Sequence, residues 1–197
     1  MKEMWNNRYA EYEFAYGVNA NSFFKSKIDI YQPGTILLPA EGEGRNAVYA
    51  AKNYWDVYAF DFSEEARKKA MLLAKENNVK INYFCSSFQE IELPWNFADC
   101  LALIFVHLPA EIRTQVHRKM LNYLKPGGKI ILEAFSKEQI DKSSGGPKDV
   151  SMLYSEKELL EDFKSLTEMK IEHVEENLDE GKYHSGMASL IRIVGVK

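Results

Sequence analysis

Short apolar runs alternate with amphipathic helical stretches along this chain, the pattern of a largely parallel sheet covered by helices. The first run, Thr-Ile-Leu-Leu, occupies 35–38. Glu41-Gly42-Glu43-Gly44 follows, and then a segment over 45–53 in which Ala47, Val48, Ala50 and Ala51 offer a packing face. That sequence reads as strand, glycine turn, helix. A second strand is expected over 57–60, ending at Asp61, and Ser63 stands where it can cap a helix running to about 77. A third strand falls at 81–84. The uninterrupted apolar run at 100–106 predicts a central strand buried on both faces. A helix over 110–124 stops at Lys125-Pro126-Gly127-Gly128, where proline cannot continue it and glycine permits the turn into a strand at 129–133.

Beyond Phe135 the periodicity lapses. Residues 136–149 contain Ser143-Ser144-Gly145-Gly146-Pro147 and read as a long loop, a kind that is commonly functional or disordered. Ser155 and Glu158 have capping-box spacing for a short helix to about 163. The last two strands, near 169–176 and 187–196, are separated only by a loop and should pair antiparallel. The 30 residues before the first strand are dense in aromatics: Trp5, Tyr9, Tyr12, Phe14, Tyr16, Phe23 and Phe24. These either pack onto the sheet edge, the expectation for most of them, or form a lid that excludes water.

Composition narrows the function classes. A length of 197 residues suggests one domain, and 46% hydrophobic with 27% charged residues fits a packed globular core. With 25 Lys and Arg against 29 Asp and Glu, the net charge of -4 gives no surplus to hold a phosphate backbone, so nucleic acid is not expected as a partner. Cys85 and Cys100 cannot build a disulfide framework or a zinc site, and no metal is expected. Both are read as buried strand residues. Residues 1–10 lack a signal-peptide core and no run of about 18 apolar residues occurs, so a cytoplasmic location without membrane contact is expected.

A glycine turn between a buried strand and a helix lets a ligand approach the backbone at the positive end of the helix dipole. Gly42 and Gly44 suit that role, although a tight turn with no ligand has the same spacing. Asp61, 17 residues beyond Gly44, ends the adjacent strand, where its carboxylate can accept from both hydroxyls of a ribose. A dinucleotide would be held similarly. His107 follows the central strand as a candidate base, or as a hydrogen-bonded histidine opening a turn. His117 is expected on an exposed helix face and His173 on an edge strand, neither with a function.

Four segments together resemble the ordered motifs of class I S-adenosylmethionine-dependent methyltransferases. They are Ile36 through Ala47, Phe60-Asp61-Phe62-Ser63, Phe105-Val106-His107-Leu108-Pro109, and Leu124 through Gly128. With the Trp-x-x-Arg-Tyr opening at Trp5, the likeness reaches furthest to the tellurite-resistance TehB-like group. It implies an α/β, Rossmann-like seven-stranded mixed sheet, mostly parallel, with a C-terminal antiparallel strand pair and helices on both faces. A single methyltransferase domain over 1–197 is expected, with 1–30 as an aromatic cap and 136–150 as a substrate-side loop.

The resemblance implies S-adenosyl-L-methionine as cofactor and S-adenosyl-L-homocysteine as product. Backbone around Ala40, Gly42 and Gly44 would face the methionine portion, Asp61 the ribose, and Ser87 with Phe88 the adenine. Tyr16, Asn46, Phe62 and Phe105 complete the expected cofactor set. Three departures stand out: Leu38 replaces the usual acidic residue and Ala40 the first glycine, so Glu41 is expected to supply the missing negative charge, and Ser87 stands where an Asp is often found, so backbone amides are expected to share in holding the adenine. In similar proteins a histidine at the position of His184 faces the substrate, which makes His107 and His184 the catalytic candidates. The acceptor is expected to be a small molecule, either a thiol or chalcogen oxyanion or an O or N nucleophile. Two other readings remain open: a cofactor-binding sensor or scaffold without catalysis, and a nicotinamide-dependent oxidoreductase that would leave Lys-Pro-Gly-Gly unexplained.

Overall fold

A computed structural model describes residues 2–197. Its strands form one seven-stranded sheet in the order β3-β2-β1-β4-β5-β7-β6. The chain divides into two compact units, Met1–Glu92 with Glu180–Lys182, and Leu93–Asp179 with Tyr183–Lys197.

The first unit opens with helices α1 (Lys2–Tyr9) and α2 (Ser22–Ile28). Strand β1 (Thr35–Pro39) leads through the glycine turn into α3 (Arg45–Lys52), then β2 (Asp56–Asp61), α4 (Glu64–Glu76) and β3 (Asn82–Cys85). β1 pairs in parallel with β2, and β2 with β3. The apolar run of β1 is buried from Ile36 onward, and Ala66, Ala70, Leu73 and Ala74 form the buried face of α4, which Ser63 caps. Among the N-terminal aromatics, Tyr9, Phe23 and Phe24 are buried, as packing predicts, whereas Tyr12 is wholly exposed.

The second unit comprises β4 (Ala98–Ile104), α5 (Ala110–Tyr123), β5 (Leu124–Phe135), α6 (Glu156–Asp162), β6 (Glu168–Asp179) and β7 (Ser185–Val196). β4 and β5 run parallel, with a register shift between Ala98 and Cys100 where Lys125 to Gly128 is accommodated. There Gly127 adopts φ +78 and donates its N–H to the Lys197 carbonyl at 2.7 Å. β7 pairs antiparallel with both β5 and β6, and Ser155 with Glu158 forms the expected capping box. Among the described residues no helix is long and apolar enough to cross a membrane.

Three expectations need correction. His117 is buried rather than exposed, because Asp162 on α6 accepts from its Nδ1 at 2.9 Å and the Phe163 ring stacks on it at 4.7 Å. Cys85 is exposed, since β3 is the edge strand of the sheet; Cys100, within β4, is buried. The segment 136–149 is not irregular throughout. Lys137–Asp141 forms a 3-10 helix, and buried Gln139 donates from Nε2 to Ser144 Oγ at 2.9 Å and to the Gly145 carbonyl at 3.0 Å.

Candidate functional site

The first unit gathers its polar side chains at the ends of β1 and β2. Ala40 leaves β1 with φ +50, then Gly42 and Gly44 take φ +61 and +84, a path that favours glycine at both positions. Each glycine is also a close approach. A Cβ on Gly42 would lie 2.8 Å from the Tyr9 hydroxyl, and one on Gly44 would meet Ala70 Cβ at 2.6 Å. Asp61 holds the turn to β2: its Oδ2 accepts from Gly42 N–H at 3.2 Å and its Oδ1 from Ser63 N–H at 2.8 Å. Tyr83 donates its hydroxyl to the Gly42 carbonyl at 2.5 Å.

Glu41 reaches the start of α3, where Oε1 accepts from Ala47 N–H at 2.8 Å and Oε2 from Asn46 Nδ2 at 3.4 Å. Anionic oxygen at a helix N-terminus is favourable, yet enclosure of the carboxyl dominates and pushes its pKa up to about 7. Burial raises Asp61 as well, to about 6, against the opposing pull of its backbone hydrogen bonds. Glu43 instead pairs with Lys69 at 2.8 Å and accepts from Ala15 N–H at 2.8 Å. The turn thus presents two carboxyls, the half-buried Glu41 and the buried Asp61, in surroundings that disfavour their negative charge. A cationic ligand carrying hydroxyl groups suits them.

Aromatic residues cover this turn. Trp5 stacks on Tyr9 at 5.5 Å and lies 6.4 Å from Tyr16, whose hydroxyl accepts from Arg8 at 2.8 Å. Tyr9 was legible only as one of several N-terminal aromatics; its place over Gly42 needed the fold. Phe62 is partly exposed beside Asp61, and Phe88 is buried edge-on against Phe60 at 5.3 Å. The Ser87 hydroxyl donates to Glu90 at 2.8 Å.

The second unit brings the two candidate histidines to one aromatic cluster. Phe105 follows β4 with φ +53, and the His184 ring lies edge-on 4.4 Å from it and 5.1 Å from Phe135. Gly145 closes against this ring: a Cβ there would lie 2.8 Å from His184 Cδ2. His107 has both nitrogens engaged by backbone. Its Nδ1 meets the Met152 carbonyl at 2.8 Å, so that nitrogen carries the proton, and Nε2 accepts from Phe135 N–H at 3.3 Å. Burial lowers its pKa to about 4.

Comparison with known proteins gives a family likeness for part of the chain and a fold likeness for most of it. Residues 36–128 match the family model described as a methyltransferase domain. That match to a methyltransferase domain covers just under half of the chain. This family implies S-adenosylmethionine as cofactor, S-adenosylhomocysteine as product and a methyl acceptor as substrate. The methyltransferase fold recurs in TehB from Haemophilus influenzae, with a TM-score of 0.74 and 18% identity over 90% of this chain. The chain spans only 62% of the length of that TehB structure. A SAM-dependent methyltransferase from Aquifex aeolicus aligns with a TM-score of 0.61 and 21% identity, covering 87% of each chain. A protein solved in work on the conversion of a disulfide bond into a thioacetal group during echinomycin biosynthesis aligns with a TM-score of 0.78 and 10% identity, over 100% of this chain and 92% of its own. No curated protein matches by sequence.

Proposed function

We propose that the chain, as one methyltransferase domain over 1–197, transfers a methyl group from S-adenosylmethionine to a small-molecule acceptor, a thiol or a chalcogen oxyanion. The observation that carries this reading is the pair of carboxyls, half-buried Glu41 and buried Asp61, bracketing the Gly42 turn inside the segment that matches the family. A cofactor bearing an ammonium and a sulfonium offsets their charge, and its ribose hydroxyls can donate to Asp61 oxygens that still have lone-pair capacity. The backbone of Ala40, Gly42 and Gly44 would hold the methionine portion. Asn46 and Tyr16 lie beside it, Phe62, Ser87 and Phe88 serve the adenine, and Phe105 stands at the methyl end.

When bound, the cofactor supplies an electrophilic sulfonium methyl. The protein's own tasks are to align the acceptor and take its proton. His184, edge-on between Phe105 and Phe135, is assigned to the acceptor. His107, with both nitrogens committed to backbone, is a positioning residue for the 105–108 turn. Sulfur as the acceptor atom draws support from the echinomycin-pathway protein of the same fold, whose work concerns a disulfide and a thioacetal. The absence of a basic surplus supports a small acceptor over nucleic acid.

A second reading, cofactor binding without catalysis, is favoured by the irregular glycine signature, with Ala40 in place of its first glycine and Leu38 in place of the usual acidic residue. Transfer of a labelled methyl group from S-adenosylmethionine to a panel of thiols, selenite and tellurite separates the two. Methylated product that disappears with His184→Ala supports transfer. Cofactor binding without turnover on any of them supports the sensor.

A further inference from the structure

Residues 142–149, in the connection between β5 and α6, cover a buried histidine without any core of their own. The base of that connection is fixed. Tyr154 N–H donates to the Phe135 carbonyl at 3.1 Å and Lys137 N–H to the Tyr154 carbonyl at 3.1 Å, so its two ends lie side by side. Buried Gln139 adds an anchor on β7, where its Oε1 accepts from Ser189 N–H at 2.8 Å. Beyond Gln139 the grip is polar. Its Nε2 donates to Ser144 Oγ and the Gly145 carbonyl, and the Ser144 hydroxyl donates to the Met187 carbonyl at 2.8 Å. Lys142 pairs with exposed Glu175 at 2.6 Å, and Lys148 Nζ donates to the Lys142 carbonyl at 2.9 Å. Among the described residues 142–149, Ser144 alone is buried.

Beneath this segment lie the rings of Phe135 and His184, both buried. Two glycines make the contact. A Cβ on Gly145 would lie 2.4 Å from the Tyr183 carbonyl oxygen and 2.8 Å from His184 Cδ2, and one on Gly146 would meet the Phe135 ring at 2.8 Å. They take φ +127 and +86, so backbone alone seals the rings. A segment that buries no apolar side chain and is held by a few hydrogen bonds opens at far lower cost than the strands it rests on. We infer that 142–149 is a lid over His184, latched by Ser144, which swings away from the Gln139 anchor to admit the acceptor and closes to exclude water. This rests on the assignment of His184 to the acceptor.

The test is acylation of histidine by diethyl pyrocarbonate at constant neutral pH, read residue by residue by mass spectrometry on the full-length chain, with buried His117 as the internal comparison. In wild type the His184 rate should stay flat as urea rises through the range that leaves the chain folded, the mark of local opening, while the His117 rate climbs with global unfolding. Ser144→Ala removes the donor to the Met187 carbonyl and the acceptor of Gln139, and should raise the His184 rate at least about threefold with the His117 rate unchanged. Lys164→Gln, which breaks an exposed pair with Glu161, should alter neither rate. A His184 rate that climbs in step with His117, in urea or in Ser144→Ala, would overturn the lid, as would a smaller rise in Ser144→Ala. Lid behaviour as predicted in a chain that methylates no thiol, selenite or tellurite would instead remove the acceptor reading beneath it.

Discussion

Asp61 ties the glycine turn to β2 by accepting from the Gly42 N–H at 3.2 Å with one oxygen while the other accepts from Ser63. One carboxylate therefore shapes the turn and remains available to a ligand. Asp61→Ala should lower S-adenosylhomocysteine affinity at least tenfold in calorimetry. The change in stability should stay within about 2 kcal/mol, since two hydrogen bonds are lost but a buried charge is removed as well. Unchanged affinity would remove the ribose assignment.

Glu41 and Asp61, raised to about 7 and about 6, protonate in the folded chain well before they would in the unfolded one. Their contribution to stability therefore grows as the pH falls from 8 towards 5, while affinity for a cationic cofactor weakens over the same range. His107, held neutral to about pH 4, works in the opposite direction below about 6.5. The carboxyl effect is accordingly read as the difference between wild type and Glu41→Gln. Urea midpoints and calorimetry at pH 6 and 8 should show the affinity slope shrinking in the variant. Tighter binding at pH 6 than at pH 8 would contradict it.

Much of this arrangement could be read before any fold was known. A glycine turn announces itself because positive φ excludes most side chains, and Ser63 and Ser155 mark helix starts by local chemistry alone. His117 could not be read this way. Its burial depends on Asp162, 45 residues away on a different helix, and no local pattern encodes that partnership. Tyr9 over Gly42 and Arg45 with Glu180 are invisible for the same reason, being long-range pairs between residues with ordinary neighbours.

The Asp162 carboxylate accepts from Arg113 at 2.8 Å, Thr114 at 2.6 Å and His117 at 2.9 Å, joining α5 to α6. Asp162→Ala leaves these donors without their acceptor and should cost about 3–5 kcal/mol in urea denaturation. These partners hold the Asp162 pKa down at about 2, so its contribution persists above about pH 4 and is lost as the pH falls towards 2. A loss below about 1 kcal/mol would show that the network does not join the helices.

Two glycines with similar φ provide an internal comparison. Gly44→Ala drives a Cβ into Ala70, whereas Gly127→Ala meets nothing within 4 Å. The second should cost only backbone strain, about 1–2 kcal/mol, and the first about 1–3 kcal/mol more from overpacking. Equal losses would show that Ala70 can yield.

The histidines should separate by readout. His184→Ala should lower methyl transfer with cofactor affinity nearly unchanged, whereas His107→Ala, which frees the Met152 carbonyl and the Phe135 N–H, should lower thermal stability. Loss of cofactor affinity together with turnover in His184→Ala would recast that residue as structural.

Calorimetric titration of the wild-type chain with S-adenosylmethionine, S-adenosylhomocysteine and NAD tests the central claim most directly. Saturable binding of both S-adenosyl ligands at a single site, with none for NAD, is the predicted result. Binding of NAD alone would contradict it.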